Sequence, residues 1–376
     1  MIDKPNSVCY EYCAMQHRFR DRHKEALFVS RKVTINMLAE RAGVSRGTVD
    51  RVLNQRPHVK PELYDRVILA MKELNYVPPR REQAVALGLP IESMQPCILG
   101  VLLRDEGGFF KSEVLRGIEE ARKQMSDFQV EILVEECTTS LPEEASEKLR
   151  SLASRGASGI AVSVVDQEAI VKTVNALCDK GIYAVTFNTD LSDCKRLCFV
   201  GQDLERSGRI AAELMSKCVT AEDKLLIAIG NPEFQAHRMR LQGFQQRMSE
   251  KGFRRENMEL LETYNDYSLT YQKVRSRLKQ ADDIKGIYMA NHSVSGCVQA
   301  VREADPRGKI HIISHDLTDS TRRLLQKGEI DFAISQDIFS QAYRSLEILQ
   351  QCVQKNIMPN NDIIYPAINI YCSENL

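Results

Sequence analysis

No stretch of 18 apolar residues occurs in this 376-residue chain, which excludes a transmembrane helix. The opening segment MIDKPNSVCYEYCAMQHRFRDRHKEALF has no uninterrupted apolar region, so no secretory signal is visible. The 11 cysteines form no CxxC pair and no even framework, the pattern of reduced thiols in a cytoplasmic protein. Cys9, Cys13, His17 and His23 match no zinc-finger spacing, and no metal site is expected. There is no G-x-G-x-x-G after a strand, no Walker A loop, no G-x-S-x-G and no H-E-x-x-H. No enzyme class and no cofactor are indicated. Neither sign of charge predominates, at 51 Lys plus Arg against 51 Asp plus Glu, so net charge alone points to no partner.

The charge is nevertheless unevenly placed. Residues 31–88 hold eleven Lys or Arg against six acids, leaving the rest of the chain mildly acidic. A small basic module near a terminus suggests nucleic acid, because neutralising phosphates supplies affinity independent of sequence. With 43% hydrophobic and 27% charged residues, the chain has the balance of a soluble globular protein, and its length calls for two or three domains. Residues 1–31 are polar without sustained periodicity. They are expected to be a disordered tail or to follow from an overcalled start codon.

Residues 32–78 read as three short helices. Thr34 is a plausible N-cap, Ile35, Leu38, Ala39 and Ala42 share one face, and Gly43 stops the first helix in a left-handed turn. Ser45 caps a second helix, with Val49, Val52 and Leu53 inward. Pro61 starts a third, with Leu63, Val67, Ala70, Met71 and Leu74 as its stripe. Two helices joined by Ala-Gly-Val-Ser form a helix-turn-helix, whose second helix enters the major groove. That helix exposes Arg46, Gly47, Asp50 and Arg51, and arginine can pair in bidentate fashion with guanine. Thr34, Ser45, Thr48, Asn54 and His58 are polar groups suited to phosphates.

From Pro96 onward, apolar runs alternate with amphipathic helical stretches. The strand candidates are 97–103, 130–136, 159–165, 183–188, 225–230, 286–291, 309–314 and 331–336. This alternation implies βαβ units and parallel sheets, and its extent calls for two doubly wound lobes. Ligands of such folds bind at the carboxyl ends of the strands.

The run VTINMLAERAGVSRGTVDRVLN, followed by HVKPELYDRVILAMKELNYVP, closely resembles the DNA-binding headpiece of the lac-repressor (LacI/GalR) family. The resemblance implies base reading at Arg46, Gly47 and Arg51; since Gly47 has no side chain, readout falls on the two arginines. Asp50 stands where the family usually has Ser, and an acid near phosphate needs a partner. The resemblance also implies a hinge at 79–95. Pro79 replaces the usual Asn there, Val85 aligns with the wedge leucine that enters the minor groove, and Leu87 is a second candidate.

Residues 96–376 resemble the type I periplasmic-binding-protein fold that the family uses to sense small molecules. Phe109 and Phe110 follow Gly107 and Gly108 where sugar-binding relatives have NPFF. Asn188 and Asp190 lie in VTFNTD, Arg238 in AHRMRLQGF, Asn291 in GIYMANHSVSG, Asp316 in SHDLT and Gln336 in DFAISQD. Each polar group falls at or near a strand's carboxyl end, and together with the aromatics they suit a polyol. His237 and His292 are neighbours of this set.

The expected fold class is therefore α/β: a three-helix helix-turn-helix headpiece, then a two-lobed, doubly wound parallel-sheet domain. Lobe 1 is expected over about 96–201 and 337–366, and lobe 2 over about 202–336 and 367–376, with crossings near 199–203, 316 and 336. The expected function is that of a cytoplasmic transcriptional regulator, a repressor, which binds operator DNA under control of a sugar or polyol. A corepressor-dependent regulator sensing a purine is the alternative. A transport binding protein shares the lobes but not the headpiece or the absent signal. No heptad extension follows IIYPAINIY, so a homodimer rather than a tetramer is expected.

Overall fold

The computed structural model describes residues 33–57, 59–74, 76, 78, 83, 87, 96–104, 108–232, 234–280, 283–305 and 308–376. The chain divides into two units at 94/95.

The first unit is a trihelical headpiece of α1 (Ile35–Ala42), α2 (Arg46–Leu53) and α3 (Pro61–Glu73). Its boundaries follow from local chemistry. The Thr34 hydroxyl accepts from the Met37 amide, and the Ser45 hydroxyl accepts from the Thr48 amide at 3.1 Å. Gly43 ends α1 at φ 62, where a side chain would be strained and its Cβ would also overlap the Arg66 guanidinium. Leu38, Val49, Val67 and Met71 are fully buried between the helices. Leu87 also packs into this core.

The second unit contains two six-stranded sheets. The first comprises β1 (Cys97–Arg104), β2 (Val130–Cys137), β3 (Ala157–Ser163), β4 (Tyr183–Phe187) and β5 (Cys198–Val200). Its helices are α4 (Gly108–Met125), α5 (Pro142–Ser154) and α6 (Glu168–Cys178). After α7 (Leu204–Cys218) come β6 (Lys224–Ile229), α8 (Gln235–Glu250), β7 (Met258–Glu262), α9 (Tyr267–Gln280) and β8 (Ile284–Met289). Then follow α10 (Val294–Ala304), β9 (His311–His315), α11 (Asp319–Gln326), β10 (Phe332–Ser335) and α12 (Ile338–Lys355). Two short strands, β11 (Ile363–Ile364) and β12 (Asn369–Tyr371), end the chain.

The strand orders are β11-β5-β4-β3-β1-β2 and β12-β10-β9-β8-β6-β7, so both sheets repeat one topology. All pairings are parallel except β10 with β12. Side chains alternate across each sheet. Leu99, Val101 and Leu103 face α4 and α12, whereas Leu102 and Ile160 face α5 and α6. In the second sheet Leu225 and Ile227 face α7 and α8, and Leu226 and Ala228 face the opposite layer. In each sheet the order reverses beside one strand, β1 or β6. The loops after those strands, which lead into α4 and α8, lie at the switch points where doubly wound folds take ligands.

The chain passes between sheets at 201–203, at 336–337 and at 365–368. The expected crossing near 316 is corrected: β9 and β10 on either side of it are neighbours in the second sheet. The third crossing instead follows β11, where Pro366 has no amide hydrogen to continue a ladder.

Candidate functional site

On the headpiece, α2 buries Val49, Val52 and Leu53 and turns Arg46, Gly47 and Arg51 outward. Neither arginine forms an ion pair with a described residue, so both guanidiniums retain their full set of donors. Asp50 is different. Its carboxylate accepts from the Asn54 amide at 3.0 Å and faces Arg56 at 3.4 Å, so the acid that departs from the family pattern is held within its own helix end. Asn54 in turn accepts from Gln83 at 3.3 Å. Thr34 and Ser45 use their oxygen lone pairs as caps, which leaves the Thr34 hydroxyl proton available to a phosphate. The Ser45 and Thr48 hydroxyls are hydrogen-bonded to each other at 3.0 Å, so one of their two protons is used between them. His58, Val85 and most of the expected hinge lie outside the described residues.

In the larger unit, the closest meeting of expected residues is Asp316 with Gln336. Asp316 is 2% exposed and left-handed at φ 65. One carboxylate oxygen accepts from Gln336 Nε2 at 2.7 Å, and the other lies 3.3 Å from His292 Nδ1. Gln336 and Phe109 both line a cavity of about 680 Å³, formed where the first turns of α4, α11 and α12 meet. Its other lining residues include Ser112, Arg116, Arg322 and Tyr371 and the carboxylates Glu113, Asp319 and Asp337. Phe110 packs beside Phe109 against the first sheet's core.

The other expected residues are more committed to the protein itself. Asn188 is left-handed at φ 60, and its backbone N–H, not its side chain, donates to Val200 O at 3.0 Å. Asp190 accepts from Arg196 Nε and Nη2, each at 2.6 Å, from the Thr186 hydroxyl at 2.6 Å and from the Leu191 amide at 2.9 Å. Asn291 is buried, donates to the Thr263 hydroxyl and accepts from Ser293 at 3.4 Å. Arg238 is exposed and donates to Pro232 O at 3.1 Å.

Residues 34–79 match the lacI family of bacterial regulatory proteins, and residues 99–357 match the periplasmic binding protein domain family. The lactose operon repressor of Escherichia coli K12 is 25% identical over 296 residues, 77% of each chain. Catabolite control protein A of Staphylococcus xylosus is 41% identical over 88 residues, covering 23% of this chain and 25% of that one. An arabinose binding protein from Geobacillus stearothermophilus superposes with a TM-score of 0.64 at 22% identity, covering 74% of this chain and 97% of its own. The chain belongs to the periplasmic binding protein domain family, and its helix-turn-helix headpiece to the lacI family of bacterial regulatory proteins. No described helix is long and apolar enough to cross a membrane, and no group of three metal-ligating side chains occurs among the described residues.

Within this frame, the structure brings forward residues that the sequence does not single out. Arg240 is 3% exposed; its Nη2 donates to Gln202 Oε1 at 3.0 Å, and its Nε has no partner. Gln202 donates onward to Ser335 O at 2.9 Å, spanning two of the crossings. His315 is buried, with Nε2 at 2.7 Å from the Tyr288 hydroxyl and Nδ1 unpartnered. Tyr288, His315 and Ser335 lie in or beside strands marked by the sequence pattern, Gln202 follows β5 and Arg240 lies within α8, but nothing in their local sequence signals burial at the crossings.

His237 is buried against Phe234, and its Nδ1 accepts from the Asn231 amide at 2.9 Å. Burial, reinforced by the Arg240 charge, pushes its imidazole from 6.5 down to about 4. The same two causes push His315 well below its ordinary value. Both rings are neutral when folded and protonate more readily when unfolded. Stability should therefore fall as pH drops from about 6.5 towards 4, with a slope near 1.4 kcal/mol per pH unit for each such proton. Urea unfolding at stepped pH checks this: His237→Gln should make the fall shallower by about one proton, and an unchanged slope would contradict it.

Proposed function

We propose that the protein is a transcriptional repressor that binds a specific operator as a homodimer, with operator affinity controlled by a small sugar or polyol held between its lobes. The reading takes 32–78 as headpiece, 79–95 as hinge and 96–376 as effector and dimerisation domain, within a cytoplasmic protein. The observation that carries it is the pair of exposed arginines, Arg46 and Arg51, on a helix whose other face is wholly buried. Such a pair offers bidentate contacts to guanine, while Thr34, Ser45, Thr48, Asn54 and His58 fix the register on phosphates. Asp50, neutralised by Arg56 and Asn54, then need not repel the backbone. Val85 would act as the hinge wedge. The sugar reading is supported by a relative named for the lactose operon and by the cavity that Phe109 and Gln336 share.

A single headpiece contacts few base pairs, so a pseudo-palindromic site is expected from selection on random DNA. On that site, Arg46→Ala and Arg51→Ala should each lose roughly 1–3 kcal/mol and relax specificity at one position. Thr48→Ala should weaken selected and random DNA alike. Fluorescence anisotropy on both DNAs separates these cases. Arginine variants that keep the wild-type ratio of specific to random binding would refute the readout.

A further inference from the structure

Asp316 is a buried acid that needs hydrogen-bond donors from its own chain. Its carboxylate is 2% exposed, and its backbone is held at φ 65 while its N–H donates to Ile334 O at 2.9 Å. A non-glycine residue in that region is strained, and a carboxylate buried without partners is costlier still. Two side chains supply the donors. Gln336 Nε2 donates to one oxygen at 2.7 Å, and His292 Nδ1 lies 3.3 Å from the other. Nδ1 can donate both in the imidazolium and in one neutral tautomer.

The two partners are anchored differently. Gln336 sits on the second crossing, with its carbonyl accepting from Gln341 Nε2 at 2.7 Å. His292 is anchored through its backbone: its N–H donates to Asn265 Oδ1 at 3.3 Å, and the flanking Asn291 and Ser293 are buried. Its side chain is 50% exposed and makes the longer of the two contacts. The imidazole can therefore leave Asp316 by a rotamer change, with no shift of β8 or α10.

We propose that His292 is a specificity-determining residue of the effector site: its imidazole competes for the Asp316 oxygen that an effector hydroxyl takes. This rests on the reading of Asp316 as an effector contact. An ionised carboxylate only accepts, so the group that displaces the imidazole must be a donor. A polyol hydroxyl qualifies; a ligand offering only acceptors there does not. His292 thus selects hydroxylated ligands and sets a threshold that each of them has to exceed.

The test uses the full chain. His292→Phe keeps a ring and removes the donor, and His292→Gln keeps a donor. Ribose, arabinose, glucose and lactose are titrated into each protein by calorimetry. A sugar that binds wild type should bind His292→Phe about two- to fivefold more tightly, with His292→Gln in between. The melting temperature without sugar should move the other way and fall in His292→Phe, because a buried carboxylate oxygen loses its donor. That fall should vanish in an Asp316→Asn background. A merely structural histidine would lower melting temperature and affinity together, so opposite signs are the signature of a competitor. Unchanged or weaker sugar binding by His292→Phe would overturn the proposal while leaving the polyol reading standing. A fall in melting temperature that persists with Asp316→Asn would place the histidine's role elsewhere and overturn it as well. Failure of every sugar to bind any of the proteins would remove both readings.

Discussion

Replacing Gly243 with alanine should destabilise the larger domain by about 3 kcal/mol, lowering its melting temperature by roughly 6–12 °C. Gly208 on α7 and Gly243 on α8 sit where the two helices touch backbone to backbone. A Cβ at 208 would overlap the Arg240 carbonyl, and one at 243 would overlap the Glu205 carbonyl. Backbone carbonyls cannot rotate aside as a side chain does, so the helices would have to separate. That would loosen the layer of Ala211, Ala212 and Phe244, which is fully buried against the second sheet. It would also move Arg240, one turn away on the same helix. Gly47→Ala is the contrast. Gly47 lies in α2 with ordinary helical geometry, and an added Cβ would meet the Ser45 hydroxyl only at van der Waals distance, 3.7 Å. Headpiece stability should rise there by up to about 1 kcal/mol. Thermal melting of both variants checks the pair; a Gly243→Ala protein melting within a degree of wild type would show that the helices accommodate the methyl group.

Asp316→Asn should abolish the ligand response of operator binding while leaving ligand-free operator affinity nearly intact. Asparagine tolerates the left-handed backbone at φ 65 and can still accept from Gln336, so the change removes charge rather than the fold. Asp316→Ala should have the same effect on the response, with some added strain. If ligand and operator are coupled, the wild-type shift should be about 5- to 150-fold in affinity, and equal in both directions of measurement. Operator titrations of wild type and variants, with and without a bound polyol, provide the check. A variant that keeps the full response would remove Asp316 from the site.

The headpiece was legible because its signals are local. Thr34, Ser45, Gly43 and Pro61 act within a turn of their own positions, and the apolar spacing that places Leu38, Val49 and Val67 inside needs no distant partner. Eight strands were legible because most of them are buried on both faces and read as continuous apolar runs; β5 (Cys198–Val200), internal and buried but only three residues long, was not marked. Where burial is partial, that signal fades. Strand β7 (Met258–Glu262) lies at a sheet edge, its burial is incomplete, and its sequence MELLE reads as readily as helix. The run IIYPAINIY reads as one strand, but Tyr365 and Pro366 part it into β11 and β12, which join different sheets.

The segment AHRMRLQGF shows the same limit in the site. Its two arginines are two residues apart, hence on different sides of α8. Resemblance draws attention to Arg238, which is exposed, whereas the packing of α7 on α8 buries Arg240 at the crossings. By itself the sequence determined the kinds of element, the caps that bound them and the exposed arginines of the recognition helix, because periodicity and capping act over a few residues. Tertiary structure alone decided which side chains meet: Arg240 with Gln202 across 38 residues, Gln202 with Ser335 across 133, and Gln336 with Asp316 across 20. Those contacts depend on two sheets folding to the same topology and on three strand crossings between them, and no window of sequence spans that distance.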